Sequence, residues 1–167
     1  MRKLNRTTDH RLAMLRNLTT DLILHGKIVT TEAKAKEVKS IVDSIIALAI
    51  KEKDNFDMVE VKVIKAKLDK DGRKVTEKAT SKNEKSFDKV VKEEKKVKKQ
   101  KDHPSRLHAR RQIMKKIHKR SSEDVLDKLF NDIAQKQTGR TGGYTRIVKM
   151  EPRKGDSAKM AVLEILM

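Results

Sequence analysis

The stretch Lys27-Ile28-Val29-Thr30-Thr31-Glu32-Ala33-Lys34-Ala35-Lys36-Glu37 changes its period halfway along, and that change decides the fold. Lys27 to Thr31 is short and β-branched, which predicts a strand. Thr30 or Thr31 can then cap a helix, with Glu32 in the first turn where the helix dipole favours an acid. Val38, Ile41, Val42, Ile45, Leu48 and Ala49 recur at helical spacing and give that helix a clear apolar face. A strand running straight into an amphipathic helix points to a mixed fold.

The same reading extends outward. Upstream, Thr7-Thr8 can cap a helix that starts at Asp9 or His10. Its stripe is Leu12, Leu15, Leu18, Leu22 and Ile23, and Gly26 ends it. Downstream, Pro104 suits the first turn of a third helix, with a narrow seam of Leu107, Ile113, Met114 and Ile117. Ser121 and Asp124 resemble a capping box for a fourth helix, whose face is Val125, Leu126, Leu129, Phe130 and Ile133. Gly139 and Gly142-Gly143 then break the helical pattern. Tyr144 to Lys149 and Met160 to Leu166 read as an antiparallel pair joined through a turn at Pro152 to Asp156. The expected fold class is α+β, a two-layer α/β sandwich of order α-β-α-α-α-β-β, forming a single domain over 1–167.

Residues 52–102 interrupt this order as a charged insertion between the second and third helices. Val59, Val61 and Val63 alternate, and Asp71-Gly72 is a hairpin turn signal. The reading is a hairpin over 59–79 followed by a charged helix over 86–100; the alternative is a solvated or partly disordered insertion.

Lys and Arg total 42 against 24 Asp and Glu, a net charge of +18. A compact chain with that charge repels itself until a polyanion neutralises it, and phosphate backbones do so with release of counterions. The densest stretch is 103–120, with 7 basic and no acidic residues. With no Trp, 1 Tyr and 3 Phe, base stacking has few candidates, so phosphate contact and shape are the expected mode.

Several function classes drop out. The longest apolar run, Ile45 to Ile50, is far short of the roughly 20 residues a spanning helix needs. The basic N-terminus is not followed by an uninterrupted apolar stretch, so no secretory signal is expected. The absence of cysteine removes disulfides and thiolate chemistry. His10, His25, His103, His108 and His118 show no metal-ligand spacing. Gly139-Arg140-Thr141-Gly142-Gly143 lacks the ending of a P-loop, and no nucleophile motif is present. No enzyme, cofactor, metal or small-molecule substrate is expected.

Leu4-Asn5-Arg6, the run from His10 to Leu18, the run from Ile28 to Glu37, Lys128-Leu129-Phe130, Ile133-Ala134, Arg140 to Ile147 and Arg153 to Ala161 together resemble bacterial large-subunit ribosomal protein seventeen. The resemblance covers about 2–51 and 103–167 and leaves the insertion without a counterpart. It implies a protein bound to large-subunit ribosomal RNA near the nascent-chain tunnel exit. It also implies neighbouring large-subunit proteins, one copy per ribosome rather than a homo-oligomer, and a cytoplasmic, ribosome-bound location. A nucleoid-associated DNA-binding protein would share the charge but not these ordered motifs. An RNA-processing enzyme or assembly chaperone would want an acid constellation or nucleotide loop.

The expected RNA contacts follow the charge. Arg2, Lys3, Asn5 and Arg6 form a short arm; His10, Arg11 and Arg16 extend it onto the first helix. Lys34 and Lys36 load the start of the second helix, which itself attracts phosphate. His103, Arg106, His108, Arg110, Arg111 and Lys115 come from the acid-free run. Gly142-Gly143 lets the backbone approach RNA. Tyr144 either stacks there or belongs to the core. Arg140 and Arg146 bracket the glycines, with Arg153 in the tail, and arginine can hold phosphate in bidentate fashion.

Overall fold

A computed structural model describes residues 2–80, 86–118 and 122–166. Helix α1 (Thr8–His25) stops because Gly26 takes a left-handed φ of 77° and donates its N–H to the Leu22 carbonyl. Strand β1 (Lys27–Thr31) follows at once and runs into α2 (Glu32–Glu52). Thr7 and Thr31 hold the N-cap positions in extended backbone, but neither hydroxyl makes a capping hydrogen bond. Further on come α3 (Pro104–Met114), α4 (Ser122–Asp127), a π-helical stretch (Lys128–Ile133) and the short α5 (Ala134–Lys136). The expected cap at Ser121 lies outside the described residues.

The π-helical turn has a physical reason in the apolar spacing. Val125, Leu129 and Ile133 are four apart, as are Leu126, Phe130 and Ala134, and all are buried. An α-helix overshoots a full turn by about 40° every four residues, so such a stripe would rotate off the core. The wider turn, marked by the Ala134 N–H bonding the Leu129 carbonyl, takes that drift back.

Strands β6 (Thr145–Lys149) and β7 (Met160–Ile165) complete a three-stranded antiparallel sheet in the order β1-β7-β6. Ile28, Leu163 and Ile147 stand in one row across it, as do Val29, Val162 and Val148. The first row meets the core and the second faces outward, since neighbouring residues alternate faces. Helices α1 and α2 pack on the inner face, and α2 supplies Ala35, Val38, Val42, Ile45, Ile46 and Ala49 to the core. Mixed helix and strand, α+β, is thus the observed class.

The chain divides into two compact units, 1–56 with 102–167, and 57–101. Among the described residues, the regular elements of the second unit are all strands. Strand β2 (Phe56–Ala66) pairs with β5 (Lys92–Asp102), and β3 (Thr76–Thr80) pairs antiparallel with β4 (Ser86–Val90). The expected helix over 86–100 is therefore corrected to two strands. The expected hairpin over 59–79 is corrected too, because the partner of β2 is β5. Asp71-Gly72 does turn the chain: Gly72 takes φ 74° between Asp69 and Arg73, closing a single bridge of Leu68 to Lys74.

Candidate nucleic-acid interface

The expected interface resolves into several patches and loses two of its members to the interior. Of the expected seam on α3, Ile113 and Ile117 are buried, but Arg106 and Ala109 join them in place of Leu107 and Met114. Leu107 and Met114 are instead 40% and 44% exposed. Arg106 is 2% exposed. Its guanidinium carbon lies 4.6 Å from the Phe56 ring centre and 4.9 Å from that of Phe130, with Asp102 at 3.4 Å. Arginine's flat, weakly hydrated cation suits such a slot. Burial pushes its pKa down, and Asp102 pulls it back up. Arg106 is turned into the protein, not onto its surface. Its position three and seven residues before Ala109 and Ile113 is the sequence signal for this, obscured by its charge.

Tyr144 is the second member that turns inward. It is buried in the core and its hydroxyl donates to the Arg140 carbonyl at 3.2 Å, closing the glycine loop. Thr145, also buried, donates to Asp43 on α2 at 2.8 Å and anchors the loop's far end. Gly143 takes φ 64°, so the turn itself favours glycine there. Gly142 is different. It has no positive φ, and a Cβ would meet nothing within 4 Å. The fold does not require a glycine at 142. Arg140 is exposed beside it.

Arg16 on α1 meets the turn that follows α3. Arg16 donates through Nε to the Lys115 carbonyl at 3.1 Å, and Lys116 reaches Ser44 on α2 at 3.0 Å. Between them Leu12, Leu15 and Ile41 floor a groove of about 150 Å³ rimmed by Arg16, Lys115 and Lys116. Arg111 is exposed on α3, and His108 is tied to Gln112 at 2.8 Å. Arg110 is half-buried and paired with Asp102 at 3.1 Å. His103 occupies the N-cap of α3, and its backbone N–H donates to Asn55. Arg11 is partly enclosed, with Nε buried and without a hydrogen-bond partner.

The N-terminal arm is folded back. Leu4 and Asn5 both take left-handed backbone, Leu4 packs on the core, and the Arg2 N–H donates to Glu37 at 3.1 Å. Lys3, Asn5, Arg6 and His10 remain exposed. This fold brings Arg2 to a second cleft of about 330 Å³ at the start of α2, lined also by Thr31, Lys36 and Lys159. Lys36 is paired with Glu32 at 2.7 Å, which lowers the Glu32 pKa. Lys34 is half-buried. Lys116 and Lys159 are not singled out by the sequence, because nothing local distinguishes them from other lysines.

Arg146 and Arg153 are engaged within the protein. Arg146 holds Glu164 from the neighbouring strand at 2.5 Å, and Arg153 holds Asp156 at 2.5 Å. The Arg153 hydrogen bond lowers the Asp156 pKa to about 2. A phosphate would have to compete with these acids.

Among the described residues, no group of three or more side chains could hold a metal, and no helix is long and apolar enough to cross a membrane. The family model for ribosomal protein L17 matches residues 14–166. The chain is 50% identical to the large ribosomal subunit protein bL17 of Ruminiclostridium cellulolyticum, with 99% of this chain and 98% of that protein covered. It is 48% identical to that of Acetivibrio thermocellus and 46% to that of Lachnospira eligens, with the same coverage. The chain therefore belongs to the ribosomal protein L17 family, a family of structural ribosomal components and not of enzymes.

Proposed function

We propose that this protein is a structural constituent of the large ribosomal subunit that binds and stabilises large-subunit ribosomal RNA. The carrying observation is the rim of Arg16, Lys115 and Lys116 with exposed Arg111, drawn from α1, α3 and the turn after α3, which meet only in the fold. The cleft of Arg2, Lys36 and Lys159 and the loop of Arg140 and Gly142 supply further contacts. Phosphate is the ligand that matches cations without an aromatic platform, since Tyr144 is buried. The helices over the three-stranded sheet act as a two-layer sandwich that holds these patches rigidly. The chain's place is near the nascent-chain tunnel exit, one copy per ribosome, beside other large-subunit proteins in the cytoplasm.

Sedimentation of cell extract at moderate salt tests this. The protein should travel with large subunits and leave them only as salt rises. Free protein, or co-migration with DNA, would overturn the reading.

A further inference from the structure

The second unit, 57–101, supplies no residue to any of these patches. It carries 16 basic and 9 acidic residues, so its own acids cannot neutralise it. All 14 basic residues described there are exposed. The excess is concentrated on β5. Lys95-Lys96-Val97-Lys98-Lys99-Gln100-Lys101 holds five lysines and no acid, while the acids Glu93 and Glu94 just before it pair with Lys95 at 2.6 Å and Lys62 at 3.8 Å.

Strand geometry sorts this run onto two faces. Lys95, Lys99 and Lys101 share one face with Val97, and Lys96 and Lys98 share the other. Neighbouring positions on a face stand about 7 Å apart, a rigid row rather than a loose tail. The partner strand adds exposed apolar groups: Met58 and Ile64 are 61% and 63% exposed, and Val59 and Val61 are 38% and 39% exposed. A two-stranded ribbon with neither face covered is marginal in water. Lysine stems can cover apolar neighbours while their ammonium groups reach outward.

We propose that the lysine run Lys95–Lys101 on the β2–β5 ribbon is a second RNA-binding site, which grips phosphates of large-subunit ribosomal RNA separately from the compact unit. The proposal rests on the ribosomal-RNA reading above. Its own support is the charge complementarity of an acid-free lysine row to a polyanion. The binding is sequence-independent: a ribbon carrying point charges follows the backbone and reads no bases.

The test compares three full-length chains for binding to large-subunit ribosomal RNA across a salt series. They are wild type, a ribbon variant (Lys95, Lys96, Lys98, Lys99 and Lys101 each →Gln) and a body variant (Arg111→Gln, Lys115→Gln and Lys116→Gln). Each lysine–phosphate pair removed should lower the salt slope by about 0.7 to 0.9. The ribbon variant's slope should fall by about 4, and it should bind at least tenfold more weakly at low salt. A ribbon variant that matches wild type while the body variant weakens would overturn this site and leave the ribosomal reading standing. Wild type without RNA affinity would overturn both.

Amine acetylation of the wild-type chain guards against a variant that merely misfolds. The five lysines should be protected in the complex with RNA alone. Equal reactivity in free and bound chain overturns the site. Protection only in whole subunits assigns the ribbon to a protein neighbour and overturns it as well.

Discussion

Arg106 occupies a place where the helical pattern asks for a hydrophobe. The chain fills it with a cation whose flat faces are shielded by Phe56 and Phe130 and whose charge is met by Asp102. Arg106→Ala empties that slot. Asp102 keeps Arg110, so no acid is left alone and the cost should sit near the lower end for a broken buried pair, about 3 kcal/mol. Arg111→Ala, on the exposed side of the same helix, should cost less than about 0.5 kcal/mol. Urea unfolding of the two variants separates them; equal small effects would show that Arg106 behaves as a surface charge. Asp156 gives a pH expectation. Its pKa is lowered to about 2 by the Arg153 hydrogen bond, so the pair adds stability above the unfolded carboxyl value of about 3.9. That contribution fades as pH falls from about 4 to about 2, because protonation then removes the acceptor charge. A carbon-detected titration should return the low value in wild type and a value near the ordinary range in Arg153→Gln. No difference between the two would assign the shift to another cause.

The glycine loop and the ribbon carry the argument at the scale of elements. Gly143→Ala places a side chain at φ 64° and should cost about 1 kcal/mol or more. Gly142→Ala meets nothing and takes no forbidden backbone angle, so thermal unfolding should move little. RNA affinity should nonetheless fall in Gly142→Ala, since the added methyl holds the backbone off its ligand. An unchanged affinity would remove this loop from the interface. The contrast also shows what the sequence could and could not convey. Helices α1 and α2 and the three strands of the central sheet begin within two residues of where period and turn chemistry put them, because their apolar residues repeat at one clean spacing, and α3 begins at Pro104 as its first-turn chemistry asks. The seam of α3 keeps Ile113 and Ile117 but takes Arg106 and Ala109 in place of Leu107 and Met114, because a buried arginine scores as surface. The stretch 86–100 reads as helix because lysine and glutamate are good helix formers. Its apolar residues Phe87, Val90, Val91 and Val97 even fall on one helical face, so only the pairing of β4 with β3 and of β5 with the alternating β2 decides its state. Which cations would gather is equally hidden: Arg16 and Lys116 are 100 residues apart and meet only through the packing of α1, α2 and α3.

At the scale of the whole molecule, the division into two units makes the insertion separable. Among the described residues, none of 57–101 belongs to the core cluster. The two ends of the compact unit's gap are already joined, since the His103 N–H donates to the Asn55 carbonyl at 3.2 Å. Glu52, Asn55 and Ser105 reinforce the closure: Asn55 and Ser105 each donate to the Glu52 carboxylate at 2.9 Å, which lowers its pKa. Replacing 57–101 by a short Gly-Ser turn therefore asks the chain to span a gap it already closes. Shortening a loop roughly tenfold saves about 2 kcal/mol of closure entropy, which offsets small costs at the join. The shortened chain should unfold cooperatively, with a midpoint within a few degrees of the full chain's compact unit. Its RNA affinity should drop by the share carried by Lys95–Lys101 and retain the share carried by Arg16, Arg111, Lys115 and Lys116. Circular dichroism melting checks the first expectation and salt-series binding the second. A shortened chain that fails to fold would mean that the ribbon contributes to the core it contains no part of; one that binds as the full chain does would leave the ribbon's charge without a ribosomal RNA role.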